Sequence, residues 1–172
     1  MIRIPDDNTP VLMAGARTPF LDSAGAYSPL MSYELGARAI AGLMQRAPVD
    51  TGKLGLVVMG TVLHEVNTTN VARESMLAAG LPSTIPAYTV AMAGISPSVG
   101  VFNICDQIAL GRIDMGIAGG TENFSDVPVR LSQNLRRLLM KLRQTNSGRD
   151  RLRLLATLRP WDFGLEAPRS SD

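Results

Sequence analysis

Residues 85–120 read IPAYTVAMAGISPSVGVFNICDQIALGRIDMGIAGG, and the order of signals in this stretch points to a parallel α/β sheet. Ile85–Ala93 is an apolar, β-prone run that stops at Gly94. Ser96-Pro97 then marks a helix start, because proline suits a first turn where its missing N–H has no partner to lose. Val99, Phe102, Ile104, Cys105 and Ile108 predict an inward helical face that ends at Gly111, and a further strand begins at Asp114. Strand, helix and strand with so short a return make a βαβ unit.

The pattern repeats upstream. Leu54–Leu63, LGLVVMGTVL, is continuously apolar, as a strand covered on both faces is. Asn67–Asn70 leads into the helix VARESMLAAG, closed by Gly80 with Pro82 beyond it. Leu35, Ala39, Ile40, Leu43 and Met44 recur at helical spacing behind an expected Ser32 cap, with Glu34 in the first turn and a break before Pro48. VLMAGARTPF, from Val11, reads as a buried strand entering a turn at Arg17-Thr18-Pro19. The expected order is therefore βαβαβαβ, a mostly parallel sheet with helices on its faces.

The 172 residues suit one domain with a real core, on a prior of about 100–200 residues per domain. At 45% apolar and 19% charged the composition is globular. No apolar run reaches the roughly 20 residues of a spanning helix. The N-terminus, MIRIPDDNTP, lacks the features of a secretory or transit signal, so a cytoplasmic setting is expected. One cysteine, Cys105, fits a reducing compartment, and with the single histidine, His64, it leaves no zinc constellation, so no metal is expected.

Charge divides the chain. Residues 1–128 carry seven basic and eleven acidic side chains, whereas 129–159 carry nine basic and one acidic. Leu131, Leu135, Leu138, Leu139 and Leu142 form a stripe with Arg136, Arg137, Lys141 and Arg143 off it, a basic amphipathic helix. A second short basic piece covers Arg149–Arg159, and the tail from Arg159 onward has no regular period. Two segments are expected, 1–128 as an α/β domain and 129–172 as a basic helical segment. By itself the basic face reads as a solvated surface. Nucleic acid is not expected, since no aromatic residues interleave the cations.

In an open parallel sheet, sites form beyond the carboxyl ends of the strands, and a helix N-terminus there favours a thiolate or an oxyanion. That places a nucleophile at the corner before Ser96, yet the corner residue is Gly94, which has no side chain to react. Making the turn is its alternative role. Ser96 reads as a helix cap rather than a nucleophile, because nothing places a base beside it. His64 is either a site-lining or a structural residue. Cys105, well inside the helix on its apolar face, reads as core. Arg73 reads as a buried-rim salt-bridge or dimer residue rather than a substrate contact, and Gly119-Gly120 with Glu122 as a tight strand exit rather than a phosphate turn, since neither GxGxxG nor a P-loop lysine is present.

Four stretches, ARTPF (Ala16–Phe20), GTVLHEVNTTNVARE (Gly60–Glu74), IPAYTVAMAGIS (Ile85–Ser96) and ALGRIDMGIAGGTENFSDVPVR (Ala109–Arg130), resemble the N-terminal half of thiolases. Within that family they most resemble the thiolase (β) subunit of the fatty-acid oxidation trifunctional complex. The resemblance implies a thiolase-like N-terminal domain followed by the start of a basic helical loop domain. It also implies a truncated sheet with one open edge, because the family draws a last strand from residues after the loop domain. In the family a cysteine at the start of the third helix takes the acyl group from acyl-CoA. The family's Met-Ala-Cys-Ile-Ser corner falls on Met92-Ala93-Gly94-Ile95-Ser96, so Gly94 stands at the nucleophile position with Met92, Ser96 and His64 as site-lining candidates. The implied activity is thiolysis of 3-ketoacyl-CoA or acyl-CoA condensation. This half-chain is expected to be inactive alone, without the C-terminal half that carries the family's histidine and second cysteine. A non-catalytic interaction or acyl-CoA-binding subunit is the alternative. Coenzyme A enters as substrate, with no cofactor. The implied partners are acyl-CoA, a second copy through the third strand, a thiolase or trifunctional-complex subunit, and an anionic membrane surface along Arg130–Arg159.

Overall fold

The computed structural model describes residues 9–47, 49–125 and 127–166. The chain forms two compact units, Met1–Asp126 and Val127–Asp172. The first contains α1 (Ser32–Arg46), a 3-10 turn (Thr51–Lys53), β1 (Leu54–Gly60), α2 (Val71–Ala78), β2 (Ala87–Val90), α3 (Ser96–Ala109) and β3 (Met115–Gly120). Its sheet is parallel throughout, in the order β2-β1-β3.

β1 is central, and that explains its unbroken apolar sequence. Val57 and Met59 face a core completed by Ile40 of α1, Ala72 and Met76 of α2, and Ile117 of β3. Val58, on the other face, meets α3 where Gly100 leaves room for its Cγ1. Alternation along one strand thus separates α1 and α2 from α3. The three residues Val57, Val58 and Met59 are at most 2% exposed.

Several boundaries follow local chemistry. α2 is capped by Asn70, whose Oδ1 accepts from the Arg73 amide at 3.1 Å. Its closing Gly80 sits at φ +82°, a conformation glycine adopts without Cβ strain. Pro97 lies in the first turn of α3 and Gly111, at φ +66°, follows its end. α1 differs from expectation at its start. Ser32 is the first helical residue and Met31 the cap, and the Glu34 carboxylate accepts the Met31 amide at 2.7 Å. α1 stops at Arg46; Pro48, expected to break it, lies outside the described residues.

The expected strand at Val11 and the expected face of α3 are both corrected. The strand expected from Val11 does not form, so the four-strand βαβαβαβ order reduces to three paired strands among the described residues. Val11, Leu12 and Met13 are 76%, 93% and 67% exposed. Apolar character made the stretch look like a strand, but among the described residues it pairs with no edge of the sheet. The outer edges of β2 and β3 also carry no strand among the described residues. The second correction is Phe102, expected inward and 67% exposed. α3 packs on the sheet through Ser96, Gly100 and Ile104, leaving Val101 and Phe102 outward.

In the second unit, α4 (Gln133–Gln144) and α5 (Gly148–Leu155) carry the basic residues. Before and after them, β4 (Arg130–Leu131) pairs antiparallel with β5 (Leu165–Glu166). The expected leucine stripe splits: Leu135 is buried and Leu138 and Leu142 are half-buried, whereas Leu131 and Leu139 are exposed. The tail, expected to be irregular, turns through a 3-10 helix at Pro160–Phe163. Asp162 organises that turn. Its carboxylate accepts from the Arg159 amide at 2.9 Å and the Asn134 side chain at 3.1 Å, and its carbonyl accepts from the Ser132 hydroxyl. No helix among the described residues is long and apolar enough to cross a membrane.

Candidate active site at the carboxyl edge of the sheet

β1, β2 and β3 all point their carboxyl ends to one edge of the parallel sheet. The Thr61 amide donates to the Val90 carbonyl at 3.1 Å and the Thr121 amide to the Gly60 carbonyl at 3.0 Å, so the three strand exits are tied together. α3 begins on top of them. An added Cβ at Gly60 would lie 2.6 Å from the Pro97 nitrogen and 2.7 Å from the Ser96 Cβ. One at Gly120 would strike the Pro97 ring. Glycines at the ends of β1 and β3 therefore let the first turn of α3 rest directly on the sheet.

The corner between β2 and α3 is held by one hydroxyl. Ser96 is 1% exposed; its Oγ accepts from the Met92 amide at 2.7 Å and donates to the Ala93 carbonyl at 2.7 Å. The Ser96 amide donates to the same carbonyl at 3.1 Å. Ala93 adopts φ +48°, the left-handed region that costs a non-glycine residue about 1–2 kcal/mol. Gly94 follows, exposed, and a Cβ built there meets nothing within 4 Å. Its own φ lies outside the left-handed range, so a side chain at 94 has both room and an ordinary backbone. Met92 is exposed beside it.

His64 is exposed in the loop after β1 and makes no hydrogen bond to another described residue. β1 and β2 are neighbours, so His64 and Gly94 leave the same edge of the sheet, but no hydrogen bond joins His64 to the corner. Cys105 is half-buried within α3, away from the corner residues. Arg73 makes no ion pair among the described residues. Instead its guanidinium donates to the Ile85 and Ser83 carbonyls, both at 2.8 Å, fixing the approach to β2. No group of three or more metal-ligating side chains occurs among the described residues.

Three side chains not singled out for this role brace the loops around the edge. The Glu122 carboxylate accepts from the Val62 amide at 2.7 Å and the Leu63 amide at 3.2 Å, joining the exit of β3 to that of β1. Asn123 is buried and donates to the Tyr27 carbonyl at 3.0 Å and the Leu30 carbonyl at 2.6 Å. Glu65 is buried and accepts from the Ser32 amide and from the Thr68 hydroxyl at 3.2 Å. Carboxylates suit the task because charge-assisted bonds to N–H groups are the stronger kind.

Residues 10–153 match the family model described as the thiolase N-terminal domain. The chain belongs to the thiolase family. It is 40% identical over 164 residues to the mitochondrial trifunctional enzyme subunit beta of Homo sapiens, covering 95% of this chain and 34% of that relative. It is 34% identical over 156 residues to the 3-ketoacyl-CoA thiolase of Pectobacterium atrosepticum, covering 91% of this chain and 36% of that relative. Among solved structures, the crystal structure of the Bacillus anthracis acetyl-CoA acetyltransferase superposes with a TM-score of 0.67 and 29% identity. That match covers 70% of this chain and 30% of that one. The chain thus spans about a third of the length of these thiolases. The mitochondrial label of the human relative fits poorly with the expected cytoplasmic setting.

Proposed function

We propose that the chain is the N-terminal part of a thiolase-family acyl-CoA acyltransferase of the fatty-acid oxidation type. In this reading Gly94 stands where the family's acyl-accepting cysteine stands, and the chain alone forms no acyl-enzyme. The observation that carries it is the corner itself. An exposed residue lies between the end of β2 and the first turn of α3, in open space, with its neighbours pinned by a buried hydroxyl. A thiol placed there would have N–H groups and the positive end of the α3 dipole nearby, which favours the thiolate. Glycine supplies no nucleophile, and Ser96 cannot replace it because its hydroxyl is buried and engaged with backbone.

The names of the relatives support 3-ketoacyl-CoA as the substrate class, cleaved or formed at the expense of a CoA thiol. The outer edge of β2, unpaired among the described residues, supports pairing with a second thiolase chain, a copy or a related subunit. The exposed arginines of α4 and α5, beside outward Leu139, Met140 and Leu152, support a partner or anionic-membrane surface over Arg130–Arg159. The single cysteine supports a reducing compartment, of which the expected cytoplasm is one.

A chimera tests the reading. Residues 9–153 replace the matching segment of the Pectobacterium thiolase, once as they stand and once with Gly94→Cys. Thiolysis of a 3-ketoacyl-CoA is expected only with Gly94→Cys. A soluble, folded Gly94→Cys chimera without activity, or an equally active glycine form, overturns it. The non-catalytic reading, favoured by the absent side chain at 94, predicts acyl-CoA or partner binding by the natural chain with no turnover.

A further inference from the structure

We infer that Ser96 is the positioning residue of this corner: its hydroxyl fixes the backbone that aims residue 94 at the first turn of α3. The inference rests on the reading of position 94 given above and adds a role for a residue two positions away. Ser96 is buried to 1% exposure, and its Oγ satisfies one donor and one acceptor of the two residues before Gly94, Met92 N–H and Ala93 C=O, each at 2.7 Å. Between them lies the turn at Ala93, whose φ of +48° an alanine does not adopt without compensation.

Other parts of the structure keep Ser96 from moving. The ends of β1 and β3 approach so closely that Gly60 has no room for a Cβ against Ser96 and Pro97, and Gly120 none against Pro97. The serine is therefore a fixed post on the sheet, and the strained corner hangs from it by two hydrogen bonds. A Cβ at 94 meets nothing within 4 Å, so no side-chain packing would position a residue there. Take the hydroxyl away and Ala93 is free to relax out of the left-handed region, which turns residue 94 relative to the α3 dipole. Serine is also the economical choice at this position, as one hydroxyl can accept and donate at once.

The test uses Gly94→Cys as a reporter of position, with iodoacetamide as the probe and alkylation localised to residue 94 by fragmentation of the peptide 74–112, which also carries Cys105. Adding Ser96→Ala is expected to raise the pH midpoint of alkylation. It should also slow the reaction at neutral pH roughly two- to fivefold, the effect of losing a helix-terminus interaction of ordinary size. Ser96→Thr, which keeps the hydroxyl, restores both. A midpoint and rate unchanged by Ser96→Ala, with only a lower melting temperature, would show a purely structural serine and overturn the inference. Should Ser96→Ala alone fail to fold, Ala93→Gly is added, because glycine tolerates the left-handed turn. In that background hydrogen exchange at the Met92 amide, rather than the thiol midpoint, is compared with and without Ser96→Ala, and an unchanged rate overturns the inference.

A second readout needs no thiol. In the chain with Gly94 unchanged, Ser96→Ala should speed hydrogen exchange at the Met92 amide about tenfold, the worth of one ordinary hydrogen bond, and an unchanged rate overturns the inference. Neither measurement involves acyl-CoA. Failure of the thiolase reading in the chimera and failure of the Ser96 role are therefore separate results.

Discussion

Gly60→Ala and Gly94→Ala add the same methyl group and should have opposite consequences. At Gly60 the new Cβ would lie 2.6 Å from the Pro97 nitrogen, 2.6 Å from the Ser96 carbonyl carbon and 2.7 Å from the Ser96 Cβ. Two of these are backbone atoms of the first turn of α3, which cannot swing aside as a side-chain tip would. The helix must lift from the sheet, and with it the hydroxyl that holds the corner. Overpacking of this kind costs about 1–3 kcal/mol, and rigid neighbours put Gly60→Ala near the upper value, about 3 kcal/mol. At roughly 2–4 °C per kcal/mol for a chain of this size, the melting temperature should fall by about 6–12 °C. At Gly94 the Cβ meets nothing within 4 Å and the backbone is not left-handed. There the change removes unfolded-state freedom without a clash and should be neutral or stabilising by up to about 1 kcal/mol. Thermal and urea unfolding of the two variants beside the parent settles the comparison. Equal losses at both positions, or no loss at Gly60, would refute the claim that α3 rests directly on the strand ends while residue 94 stands clear.

Glu122→Ala should lower stability by about 2–3 kcal/mol, because the Val62 and Leu63 amides lose a charged acceptor, and it should speed hydrogen exchange at those two amides. Asn123→Ala leaves the Tyr27 and Leu30 carbonyls without their donor and should cost about 1–3 kcal/mol in urea unfolding. Arg73→Lys keeps the charge but cannot serve the Ile85 and Ser83 carbonyls from one planar fork, so a loss of about 1 kcal/mol is expected in the same assay. His64→Ala should leave stability within about 0.5 kcal/mol of the parent, since the side chain is exposed and makes no hydrogen bond to a described residue.

What was legible in the sequence was local. The central strand announced itself because Leu54–Gly60 is covered on both faces, and glycine or proline marks the limits of α2 and α3. The corner at Gly94-Ile95-Ser96 was legible for the same reason, as a strand end running into a proline-bearing first turn. Non-local partnerships were not. Val11–Met13 has the composition of a strand, but composition does not say whether the chain path brings the stretch to a sheet edge. Phe102 and Leu139 sit at helical spacing with buried residues, and periodicity cannot say how wide a face the neighbouring elements cover. Glu122 was visible as part of a strand exit, but its partners lie about sixty residues upstream, and Glu65 reaches back 33 residues to Ser32. No spacing rule connects a carboxylate to backbone amides that far away. Met31 rather than Ser32 takes the cap position, where Glu34 accepts the Met31 amide and Glu65, 33 residues on, accepts the Ser32 amide.

The central claim is that residue 94 occupies the acyl-accepting position of a thiolase. Its most direct test is the mass of the chimera and its Gly94→Cys form after brief exposure to acetyl-CoA, followed by peptide mapping. The account predicts one acetyl group on the peptide containing residue 94 in the Gly94→Cys form and none on the glycine form. An acetyl group on the glycine form at Ser96 or Cys105, or a folded Gly94→Cys form that stays unmodified, would contradict it.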